Sequence, residues 1–168
     1  MKVTVNGDIS LYFVQCICMN FFPGAKFSDK EEVSEETPTL HVDLMEENDT
    51  VKAVATASWD GNTVEKEYSR ESDPAALDKI RKFVVGMAVN NAWREILDFA
   101  PSWGILTGVR PSKIAMEMYR EGKTAEQIRH ALTSDYAIIP KKAALATDIA
   151  IRETRLINAL PENSCSLP

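Results

Sequence analysis

The residues with the most chemical content lie between Ala100 and Lys113, in the order Ala-Pro-Ser-Trp-Gly-Ile-Leu-Thr-Gly-Val-Arg-Pro-Ser-Lys. Gly104 and Gly108 open backbone angles closed to other residues, and Pro111 suits the first turn of a helix. The stretch predicts a shaped loop that feeds a new helix. Arg110 would stand at that helix start, where free N–H groups and the helix dipole favour anions. Thr107, Gly108, Arg110 and Lys113 could together hold a carboxylate or phosphate, and Trp103 could stack on a flat ligand. The alternative is a loop that merely packs, with Trp103 in the core and Arg110 tied to an acid such as Asp98.

Other chemistry is sparse. The chain has no GxSxG, P-loop, dinucleotide fingerprint, HExxH or paired CxxC. Cys16 and Cys18 flank Ile17 like half of a metal site, but no second pair completes it. They read better as small core hydrophobes. His41 lies on an expected strand beside Asp43 and His130 on a short helix; general-base work needs a positioned partner, and none is evident for either. No catalytic residue and no metal site is assigned.

The whole chain sets further bounds. Its 168 residues, 45% hydrophobic, suffice for a real core. A net charge of −6 argues against nucleic acid as the main partner. Three cysteines, an odd count, suit a reducing cytoplasm, where the protein is expected. The apolar run Ile9–Phe22 contains Ser10, Gln15 and Asn20, and is too short and polar to span a bilayer. Between Ser28 and Asp49 nine carboxylates stand against Lys30 alone, as in a solvated loop or edge.

The elements that would carry the loop follow from periodicity. Val3 and Val5 mark a short strand, and Asp8 is the expected cap of a helix running through the apolar stretch to Pro23-Gly24. Thr39–Leu44, Val51–Ser58 and Thr63–Ser69 alternate as strands. Asp60-Gly61 is a hairpin signal, so these three form an antiparallel meander, which the first strand joins through the crossover helix. Asp73-Pro74 opens a long helix with Leu77, Ile80, Val84, Met87, Trp93 and Leu97 on its buried side, ending near Phe99. Asn90 and Asn91 fall inside it, pairing with a neighbouring backbone or facing water. A helix from Pro111 stops at Gly122, Thr124–Gln127 is a capping box, and Pro140 opens a last helix. Its expected buried stripe is Leu145, Ile149, Leu156 and Leu160, and Pro161 ends it. The fold class is α+β: a small, mainly antiparallel sheet with one N-terminal crossover helix, a long helix, then a helical C-terminal half. The expected divisions are 1–99, a helical part 100–160 packed on it as one continuous domain, and a linker 161–168.

The string from Trp103 to Lys113 resembles the WGxLTGVRPxK signature in the N-terminal region of HemZ-type proteins, oxygen-independent coproporphyrinogen III oxidases (dehydrogenases) of the radical SAM superfamily. The resemblance extends from about Trp93 to Leu167, through Glu121-Gly122 and Asp135-Tyr136 to a tail like the linker before that family's catalytic barrel. It implies an oxidoreductase parent in haem biosynthesis, with a [4Fe–4S] cluster on a CxxxCxxC triad and S-adenosylmethionine as cofactors. This chain has no such triad, so no cofactor is expected in it. The implied role is a non-catalytic accessory domain, whose partners are its own C-terminal radical SAM domain and the porphyrinogen. A homodimerisation or protein-interaction module, with a haem-chaperone-like parent, is the alternative.

Overall fold

The structure is a computed structural model that describes residues 1–28, 34 and 36–159. In chain order it contains β1 (Lys2–Asn6), α1 (Leu11–Cys18), β2 (Thr39–Glu47), β3 (Thr50–Trp59), β4 (Asn62–Glu71), a 3-10 turn (Pro74–Ala76), α2 (Leu77–Leu97), α3 (Pro111–Arg120), α4 (Ala125–Ser134) and α5 (Pro140–Ala159). The chain divides into two compact units after Thr107. Among the described residues no helix is long and apolar enough to cross a membrane.

The first unit is the α+β part. Its sheet has the order β1-β2-β3-β4. The meander is antiparallel, and β1 lies parallel to β2, with Thr4 level with His41 and Asn6 with Asp43. A parallel neighbour needs a crossover, and α1 lies within it. The meander turns are sharp: Asn48-Asp49 and Asp60-Gly61 all have positive φ, the backbone of type I′ hairpins.

Alternation decides which face is covered. Leu40, Val42 and Leu44 of β2 and Val51, Ala53, Ala55 and Ala57 of β3 are buried. The small alanines let α2 pack against β3. From Phe83 to Asn90 every residue of α2 is buried, more than one amphipathic face would give. The helix is lined by the sheet, by α1 and by Ile105, which meets it at Gly86. Asp98, left-handed at φ 46°, ends it. Asn90 lies in the core rather than facing water; its Nδ2 donates to Asn91 Oδ1 at 3.5 Å, and its Oδ1 has no hydrogen-bond partner among the described residues.

Two expectations in this unit are corrected. Asp8 does not cap α1: Ser10 precedes the helix, without a side-chain cap. Asp8 instead pairs with Arg81, which also holds Glu46 at 2.7 Å. The helix also ends at Cys18, short of Pro23. There the chain tightens into turns, with Asn20 N–H on Ile17 O and Phe21 N–H on Cys18 O. Those turns deliver Phe22 edge-on to Trp59 and Trp93 and Asn20 Nδ2 to Gly104 O at 3.4 Å.

In the second unit α3, α4 and α5 pack on one another. Thr124 and Gln127 form the capping box on α4. The expected stripe of α5 is overturned. Leu145, Ile149 and Leu156 are 45%, 38% and 69% exposed, while Ala143, Ala146, Thr147, Ala150 and Thr154 are buried. Small residues permit close helix approach, and the two threonine hydroxyls are satisfied on the carbonyls of Ala143 and Ala150, both at 2.8 Å. Size, not hydrophobicity, chose the inward face. Leu160, Pro161, the linker 161–168 and most of the acidic run before Glu36 lie outside the described residues.

Candidate functional site

The loop before α3 is built from tight turns. Gly104 N–H donates to Pro101 O at 3.0 Å and Leu106 N–H to Trp103 O at 3.2 Å. Gly104 and Gly108 have φ of 57° and 71°, as two glycines in a shaped loop predict. Ile105 is buried and Trp103 is half-buried. Pro111 occupies the first turn of α3 and Arg110 is its N-cap residue, in extended conformation without a side-chain cap bond.

The five candidate residues fall on both sides of the division. Trp103 and Thr107 belong to the first unit; Gly108, Arg110 and Lys113 belong to the second. Within the second, Lys113 N–H donates to Arg110 O at 3.0 Å, so both side chains rise from one helical turn. Both are exposed, and among the described residues neither is in an ion pair. Two solvated cations at a helix start suit a carboxylate or phosphate.

A second constellation comes from the parallel pairing of β1 with β2. Thr4 Oγ1 lies 2.7 Å from His41 Nδ1. His41 Nε2 lies 3.2 Å from Asp43 Oδ2, and Asn6 Nδ2 donates to Asp43 Oδ1 at 3.1 Å. With the imidazole neutral, the carboxylate accepts from Nε2–H and Nδ1 accepts from the threonine hydroxyl, whose proton also faces Leu40 O at 3.4 Å. Hydroxyl, imidazole and carboxylate in line form a general-base arrangement. Here it stands on the open face of the sheet with His41 48% exposed, so nothing excludes water from it. Sequence reading found His41 and Asp43 but missed Thr4 and Asn6, because strand register between β1 and β2 has no local signal.

Among the described residues the donor set does not fit an iron–sulfur cluster, which takes several thiolates. Cys18 is fully buried; burial pushes its thiol up to about 12, with the Trp93 indole acting the other way. It therefore stays a neutral core group. Cys16 is half-buried two residues earlier on α1, and among the described residues no cluster of three or more His, Cys, Asp or Glu could hold a metal ion. A cavity of about 300 Å³ beside the β3–β4 turn is lined, among the described residues, by hydroxyls, Asn62 and Trp59, with no charged side chain among them.

Comparison with known proteins finds a distant relative. The chain is 26% identical over 97 residues to the oxygen-independent coproporphyrinogen-III oxidase-like protein HemZ of Bacillus subtilis (strain 168). The match covers 55% of this chain and 19% of that protein, so the chain spans about a fifth of the relative's length. No family profile matches the chain, and no solved structure matches it.

Proposed function

We propose that this chain is a non-catalytic accessory domain of a coproporphyrinogen III oxidase-like protein of haem biosynthesis. In that reading the longer protein is the radical SAM oxidoreductase, its cluster and S-adenosylmethionine lie outside this chain, and this domain contacts the catalytic barrel or the substrate. The similarity to the HemZ protein carries the proposal. The exposed pair Arg110 and Lys113 at the start of α3 agrees with it, since the substrate is a macrocycle bearing carboxylates.

Titration of the chain with coproporphyrin III, followed by Soret absorption, tests the substrate role. Saturable binding that weakens at least fivefold in Arg110→Ala and in Lys113→Ala supports it. No binding, with Arg110→Ala also harmless to the activity of the longer protein, removes it. A second reading, an interaction module, is favoured by the outward aliphatic face of α5.

A further inference from the structure

The helix α5 is apolar on two opposite sides. Its buried side, Ala143, Ala146, Thr147, Ala150 and Thr154, serves its own unit. At 100° per residue, Leu145, Ile149, Arg152 and Leu156 fall together on the other side, where the three aliphatics are exposed. Large aliphatics in water beside alanines in the core invert the usual order. The inversion is physically sensible if the outer stripe is covered by something else.

We propose that this stripe pairs, antiparallel and about a two-fold axis, with the same stripe of a second copy of the chain. The pattern of charge along α5 selects that occupant. Aliphatics stand toward both ends of the stripe, so reversing one helix sets Leu145 against Leu156 of the second copy. Asp148 and Arg155 share one flank, seven residues apart. In an antiparallel two-fold pair each flank meets itself reversed, which brings Asp148 opposite Arg155 of the second copy, twice over. Arg129 already holds Asp148 Oδ1 at 2.8 Å, so the carboxylate is oriented before association. A parallel pairing would instead stack Arg152 on Arg152. In the antiparallel one, Arg152 lays its stem along Ile149 of the second copy and extends its charge to the rim.

One pair of helices buries less than the roughly 1,200–2,000 Å² of a stable complex. Association is therefore weak and depends on concentration, with the ion pairs setting orientation more than strength.

Sedimentation equilibrium of the chain from micromolar to several hundred micromolar tests the surface. The expected result is an average mass rising toward two copies. Leu156→Glu should weaken association at least tenfold while the far-UV circular dichroism stays unchanged, and Leu145→Glu provides the same test should the first variant misfold. Arg155→Asp should weaken it severalfold, more at low salt than at high. A chain that stays monomeric throughout overturns the assignment and leaves the stripe to another partner, such as the rest of a longer polypeptide. A dimer that survives both glutamate substitutions also overturns it, because its interface lies elsewhere. Neither outcome bears on coproporphyrin binding, so the two proposals fail separately.

Discussion

Gly86 and Ile105 meet where α2 is crossed by the loop that follows it: a Cβ at Gly86 would stand 3.3 Å from both Cβ and Cδ1 of Ile105. The missing side chain of the helix is the seat of the isoleucine. This contact anchors the first half of the Trp103–Lys113 stretch to the core of the first unit. It gives Gly86, inside a helix where glycine costs about 1 kcal/mol against alanine, a packing reason to be there.

Gly86→Ala should be near neutral, because the gain in helix propensity offsets a displacement of Ile105 by a few tenths of an ångström. Gly86→Leu should destabilise by about 1–3 kcal/mol through overpacking, and Ile105→Ala by about 2–4 kcal/mol through the cavity it leaves. The double variant Gly86→Leu/Ile105→Ala should lose less than the sum. Urea unfolding of the parent and the four variants checks this; strict additivity would mean that the two residues do not share the space.

Gly7 turns the chain between β1 and α1 at φ 104°, and a Cβ there would stand 2.6 Å from the carbonyl oxygen of Leu44. Neither the angle nor the backbone clash can be relieved by a rotamer change. Gly7→Ala should therefore cost at least about 2 kcal/mol. A urea midpoint unchanged within error would contradict the contact.

Cys18 should resist alkylation while the protein is folded. A thiol pushed up to about 12 carries on the order of a thousandfold less thiolate at pH 8 than an ordinary one. Iodoacetamide labelling with peptide mapping, in buffer and in urea, reads this for Cys18 by itself. The raised folded value also sets a pH dependence. Its stabilising contribution is complete below the unfolded thiol's value near 8.5 and is lost progressively as pH rises toward 12. Cys18→Ala should show a shallower alkaline decline in stability between about pH 9 and 12; identical slopes would place the thiol in water.

His41, when neutral, should carry its proton on Nε2, since Asp43 lies at that nitrogen and the Thr4 hydroxyl at the other. Nitrogen-15 spectra of the imidazole distinguish the tautomers directly. Asp43→Asn should mix them, and should change stability by less than about 1 kcal/mol because the group is exposed. A predominant Nδ1–H form in the parent protein would refute the geometry.

Much of this architecture is legible in short windows of the chain. Val51, Ala53, Ala55 and Ala57 alternate with Lys52, Val54, Thr56 and Ser58, and β3 buries the first four. Asp60-Gly61 turns a hairpin, Asp73-Pro74 opens a helical stretch with Asp73 accepting from Ala75 N–H at 2.9 Å, and Thr124–Gln127 is a capping box. The candidate loop was legible as a loop, from Gly104, Gly108 and Pro111. Its ligand was not, because recognition depends on what converges in space.

The sequence by itself determined where most elements start, stop and turn, the two ends of α1 excepted, and hence the α+β class, since these signals act over about four residues. Tertiary structure decided what local periodicity leaves open. It set the register that places Thr4 beside His41, the burial of Asn90 within α2, and the rotation of α5 that turns Ala143, Ala146 and Ala150 inward and Leu145, Ile149 and Leu156 outward. A helix with apolar residues on two sides has no local preference between them. How closely α3 and α4 can approach it made the choice, and that closeness favours the smaller side chains.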